Sequence, residues 1–127
     1  MIRSDEIDGH LPLYESWRTS LGVMEDETIL FKTKLARILS ENFERKHLAH
    51  LEVFQYRFLK MDEQISVLRH EVRDLQEVML HSCDKNSRLR NVTVMMQFLA
   101  ARMELVEETF KTLAADFHVY LQENFSS

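Results

Sequence analysis

Cysteine, glycine and proline are nearly missing from this chain of 127 residues, which has one, two and one of them respectively. The single thiol, Cys83, cannot close an internal disulfide, so an oxidised scaffold is excluded and a cytoplasmic location is expected. So few glycines and prolines cannot supply the turns that many short strands need, which excludes an all-β fold. No run of about eighteen uninterrupted apolar residues occurs, so no membrane span is expected. The acidic start Met1-Ile2-Arg3-Ser4-Asp5-Glu6 has no apolar stretch behind it, so no secretory signal is expected either. Missing, too, is any excess of positive charge. Residues 1 to 27 carry seven acids against Arg3 and Arg18, the remaining residues balance at fourteen of each sign, and the chain totals -5. Nonspecific nucleic-acid binding needs a basic face to displace phosphate counterions, so no nucleic-acid partner is expected.

What the chain does have is apolar residues at helical spacing. With 45% hydrophobic and 29% charged residues and a mean hydropathy of -0.29, it suits one soluble domain over residues 1 to 127. From Leu51 the apolar residues alternate steps of three and four: Leu51, Phe54, Phe58, Met61, Ile65, Leu68, Val72, Leu75 and Met79. A second unbroken heptad seam runs Leu89, Val92, Met96, Leu99, Met103, Val106, Phe110, Leu113, Phe117 and Tyr120. The two predict long helices over about 47 to 82 and 87 to 124. Between them the polar segment Ser82-Cys83-Asp84-Lys85-Asn86-Ser87 favours a turn, which makes the pair an antiparallel hairpin. Placing the tip at Lys85 and Asn86 pairs Met79 with Val92, Val72 with Leu99, Phe58 with Leu113, Phe54 with Phe117 and Leu51 with Tyr120, without a polar residue in the seam. At 1.5 Å per residue this seam is roughly 40 Å long, with aromatic residues gathered at its open end.

Upstream, Phe31, Leu35, Ile38, Leu39, Asn42 and Phe43 form a further stripe, and the charges of Glu25-Asp26-Glu27 suit a helix N-terminus, predicting a helix over about 26 to 45. Extending the downstream seam backwards would turn Thr33, Arg37, Ser40, Glu44 and His47 inward, so a break is expected near residues 43 to 48. One continuous helix from Asp26 to Ser82 is the alternative, because neither Gly nor Pro interrupts it. Before that, Leu11-Pro12, then Leu13, Trp17 and Leu21 at four-residue steps, then Gly22, predict a short helix over about 12 to 21, begun by Pro and closed by Gly. Trp17, the only tryptophan, is expected to pack on the hairpin.

Candidate chemistry is sparse. Glu44-Arg45-Lys46-His47 has the Glu-x-x-His spacing of di-iron bundles. The hairpin register, however, sets Glu104, Glu107 and Glu108 roughly 25 to 35 Å along the axis from Glu44, too far to complete such a centre. Glu44, His47, His50 and His118 share the open end of the hairpin and form the candidate set for zinc or nickel. His50 and His118 fall to either side of the seam, so surface or edge histidines are expected and no metal or cofactor is assigned. His70, beside Glu71 and Asp74, reads as solvated. No glycine-rich loop or nucleophile elbow points to an enzyme, and Cys83 lacks an activating partner. The His-x-x-Lys-Gly pattern of phosphotransfer bundles is missing as well. Asn91-Val92-Thr93 and Asn124-Phe125-Ser126 would be glycosylation acceptors only in a secreted chain. Met96 and Met103 fall on the seam, which assigns them to the core rather than to an adaptable binding surface.

Some apolar residues lie off both seams: Val53, Tyr56, Leu59 and Val67 on the outer side of helix 47 to 82, and Leu105, Ala115 and Val119 on the next helix. N-terminal helices can cover one side of such a rod and a second copy of the chain the rest. The sequence therefore predicts an all-α antiparallel bundle built on a long coiled-coil-like hairpin, with one or two shorter N-terminal helices. Its expected role is noncatalytic, a protein-interaction or assembly module that forms a homodimer through Val53, Tyr56, Leu59 and Val67. Metal binding by the open-end histidines is the second reading, while a membrane-surface role lacks the basic polar face that it requires.

Overall fold

A computed structural model describes residues 11–81 and 85–125, with side chains at 13–79 and 92–125. It is an all-α bundle of three helices: α1 (Leu11–Ser40), α2 (Leu48–His81) and α3 (Lys85–Phe125), with one turn of 3₁₀ helix at Arg45–His47 ahead of α2. All nine residues of the first seam, Leu51 to Met79, are buried, as are Val92, Leu99, Met103, Val106, Phe110, Leu113 and Phe117 of the second. Phe54 and Phe117, a predicted pair, lie with ring centroids 5.1 Å apart. Arg57 bonds Asp116 at 2.9 Å and Arg102 bonds Glu71, so the hairpin keeps one register along its length.

Helix α1 corrects the sequence reading. Two helices were expected, over about 12 to 21 and 26 to 45, and a single 30-residue helix runs from Leu11 to Ser40. Its own seam is Tyr14, Trp17, Leu21, Met24, Thr28, Phe31, Leu35 and Ile38, again at steps of three and four. Thr28 is the polar member that interrupts the pattern. It is fully buried, and its hydroxyl donates to the Met24 carbonyl at 2.7 Å, so no polar atom is left unpaired. Gly22 lies within the helix rather than after its end. Glycine there costs about 1 kcal/mol relative to alanine, and the seam residues on both sides outweigh that cost by burial. Glu25 consequently does not sit at a helix N-terminus but pairs with Arg69 of α2.

The helix ends at Ser40, short of residue 45, where the Ser40 hydroxyl donates to the Arg37 carbonyl at 2.8 Å and the Glu41 N–H to the Ile38 carbonyl at 3.2 Å. These bonds occupy carbonyls that a helix end leaves open. Glu44 is extended, with φ -68 and ψ 134, and the chain re-enters helix through Arg45–His47. Expected turn residues Lys85, Asn86 and Ser87 already belong to α3. A first helical turn accepts such residues because its N–H groups have no intrahelical partner. Cys83, the acidic residues before Leu11 and the Ser126 end of the second acceptor motif lie outside the described residues.

Antiparallel to α2 runs α1. Tyr14 donates its hydroxyl to the Met79 sulfur at 2.5 Å near one end, and Lys32 pairs with Asp62 further along. Phe31 sets its ring 5.8 Å from Phe58, 6.2 Å from Phe110 and 5.7 Å from Phe117, closing the groove on one side of the hairpin. Trp17 is buried against Tyr14, with ring centroids 6.0 Å apart.

Candidate functional site

At the open end the histidines do not converge. His47, carried inward by the 3₁₀ turn, is buried rather than at the surface, and it shares a 2.9 Å hydrogen bond between Nδ1 and the Tyr120 hydroxyl. Its ring also lies 4.9 Å from that of Phe125. Burial pushes the Tyr120 phenol above its ordinary pKa of 10.0, so the hydroxyl is protonated at neutral pH. His50 stacks on the other side of Tyr120 at 5.4 Å, His118 is exposed, and Glu44 is exposed and paired with Lys46 at 3.2 Å. Among the described residues no three His, Cys, Asp or Glu side chains come close enough to hold a metal ion. These residues make an aromatic end cap for the core.

The larger feature is the side of the hairpin that α1 leaves uncovered. On α3 the residues Val94, Phe98, Ala101 and Leu105 follow one another at steps of four and three, and all are exposed, Phe98 by 67% and Leu105 by 66%. Further along the same stripe come Ala115 and Val119, also exposed. The Arg57–Asp116 and Glu71–Arg102 pairs cross this side and set its levels: Val53 lies level with Val119, Tyr56 with Ala115, Val67 with Leu105, and Val78 with Val94. Near the open end Ala49, Val53, Ala115 and Val119 line a concavity of 540 Å³, with Arg57 and Asp116 beside them. Scattered exposed apolar residues are ordinary on a soluble protein, but here several follow one another at helical spacing on one side.

The four residues expected to interact divide between two sides. Val53, Tyr56 and Val67 belong to this open face, and Lys60 lies over the Tyr56 ring at 6.0 Å. Leu59 lies toward α1, beside a small hollow that it shares with Lys32, Leu35 and Gln55. Val94 and Phe98 belong to the face and are not among the expected residues, although the heptad step from Phe98 to Leu105 is readable in the sequence. No helix among the described residues is long and apolar enough to cross a membrane. Comparison with models of protein families, with curated proteins and with solved structures finds no match.

Proposed function

We propose that this chain is a noncatalytic assembly module that pairs with a second copy of itself through the open face of α2 and α3. The observation that carries this reading is the open face itself, along which Val53, Tyr56 and Val67 of α2 and Val94, Phe98, Leu105 and Val119 of α3 are exposed. From the level of Val53 to that of Val78 it runs about 38 Å, and two helices side by side are about 20 Å wide. The whole face, its charged pairs included, therefore spans about 700 to 800 Å² in projection, the scale of one partner's share of a standard interface. Charge placement supports an antiparallel second copy. Lys60 and Asp74 each stand one heptad from Val67, on opposite sides of it. A two-fold axis at the level of Val67 sets Lys60 against the partner subunit's Asp74, and the reverse, as an isologous contact requires.

Sedimentation equilibrium over a range of concentrations tests this reading. A dimer is expected for the native chain and a monomer for Leu105→Glu, whereas Leu30→Glu, exposed on α1, leaves the dimer intact. A native chain that stays monomeric at high concentration, or a Leu105→Glu chain that stays dimeric, refutes it.

A further inference from the structure

We infer that the outer groove between α1 and α2 binds a multiply charged oxyanion of the phosphate class. This groove encloses 380 Å³ and is lined by Arg18 and Glu25 of α1 and by Ser66, Arg69, His70, Arg73 and Gln76 of α2. Three guanidinium groups meet one carboxylate there, in a chain whose net charge is -5. Three other cations at helix boundaries are matched, Lys32 by Asp62, Arg57 by Asp116 and Arg102 by Glu71. In the groove only Arg69 is matched, by Glu25. Arg18 and Arg73 have no hydrogen-bonding or ion-pair partner among the described residues.

Ser66, Arg69, Arg73 and Gln76 follow at steps of three, four and three along the side of α2 that faces α1, so their polar ends share one wall. Arg18 stands on the opposite wall. Apart from Glu25, every polar side chain here can donate a hydrogen bond, and planar guanidinium forks suit the paired oxygens of a phosphate. Among the described residues the only apolar lining residue is Val72, which is itself buried in the core. With no apolar platform for a base or an acyl chain, the groove selects for the charged group alone. An anion held between Arg18 and Arg73 also removes their mutual repulsion, so binding stabilises the contact of α1 with α2.

Titration calorimetry of the intact chain with inorganic pyrophosphate and, separately, with O-phosphoserine tests the inference, sodium chloride at matched ionic strength serving as the reference. Millimolar or tighter binding is expected, with a rise in melting temperature that sodium chloride does not produce. Arg73→Gln and Arg18→Gln should each weaken it by about tenfold or more, as the loss of a charge-assisted hydrogen bond implies, while Arg37→Gln leaves it unchanged. Pyrophosphate binding without phosphoserine binding identifies a free oxyanion as the source, and binding of both identifies a phosphate group carried on a larger ligand. Absence of both heats overturns the inference, as does binding that neither groove variant weakens or that Arg37→Gln weakens equally. Leu105→Glu lies outside this groove and should retain binding whatever its effect on dimerisation.

Discussion

Truncating Phe58 to alanine should be among the most damaging single changes in this protein. Its side chain is fully buried, with rings from all three helices around it: Phe31 of α1 at 5.8 Å, Phe54 of α2 at 6.2 Å and Phe117 of α3 at 4.9 Å. Removing a buried phenyl ring costs its transfer free energy plus a cavity term, together about 3 to 5 kcal/mol. Each aromatic contact adds about 0.5 to 1.5 kcal/mol beyond area, which places Phe58→Ala toward the upper end. Collapse offers little relief, because rings on three separate helices cannot all move into one void. Against a total stability of about 5 to 15 kcal/mol for a domain, such a loss leaves a large unfolded fraction under mild denaturant. Urea unfolding followed by helix dichroism and by Trp17 fluorescence measures it through the midpoint at constant slope. Trp17 lies about 28 Å along the axis from Phe58, so coincident shifts in both signals also report cooperative unfolding. A loss below about 1 kcal/mol would refute the placement of Phe58 at the convergence of the three helices.

Three further outcomes follow from the same contacts. Thr28→Val should be neutral or stabilising by up to about 1 kcal/mol in urea unfolding, because the hydroxyl donates only to the Met24 carbonyl, which remains within the helical ladder, and valine keeps the branched shape; a loss above about 2 kcal/mol would contradict this. Burial pushes the Tyr14 phenol up to about 12 from 10.0, so the unfolded chain ionises first: stability is full below pH 10 and falls as pH rises toward 12, and it should fall less steeply in Tyr14→Phe when the two are unfolded in parallel across that range. Equal slopes would show that the phenol is not buried. In light scattering, Leu59→Glu should leave the dimer intact where Leu105→Glu separates it, because Leu59 lies toward α1; dissociation by both would move the contact onto the α1 side.

The hairpin was legible because both of its seams are built from apolar residues without interruption, and because the short polar segment between them fixes the register in which they match. Helix α1 has a seam of the same period, yet Gly22 and Thr28 stand in or beside it, and composition alone reads them as a stop and a polar surface position. Whether Thr28 can be buried depends on the carbonyl of Met24, one turn away, accepting its hydroxyl at 2.7 Å. That is a three-dimensional fact. Burial of His47 depends likewise on the 3₁₀ turn and on Tyr120, 73 residues away in sequence. The arginine groove was hidden for a related reason. Until α1 is one helix antiparallel to α2, nothing brings Arg18 near Arg73.

Topology explains why one side of the hairpin is left open. A two-helix hairpin has a groove on each side, and the single further helix among the described residues can fill only one of them. Phe31 decides which, since its ring reaches Phe58, Phe110 and Phe117 from the side that α1 occupies. On the far side the seam residues are already covered by one another, so burial of the core does not require an apolar exterior there. A surface under no demand but solubility would place charged residues at Phe98 and Leu105, as α2 does at Asp74, level with Phe98. The apolar stripe from Val94 to Leu105, with Ala115 and Val119 further along, is therefore an addition to what the fold needs, and in the proposed dimer a second hairpin would supply the side that α1 leaves open.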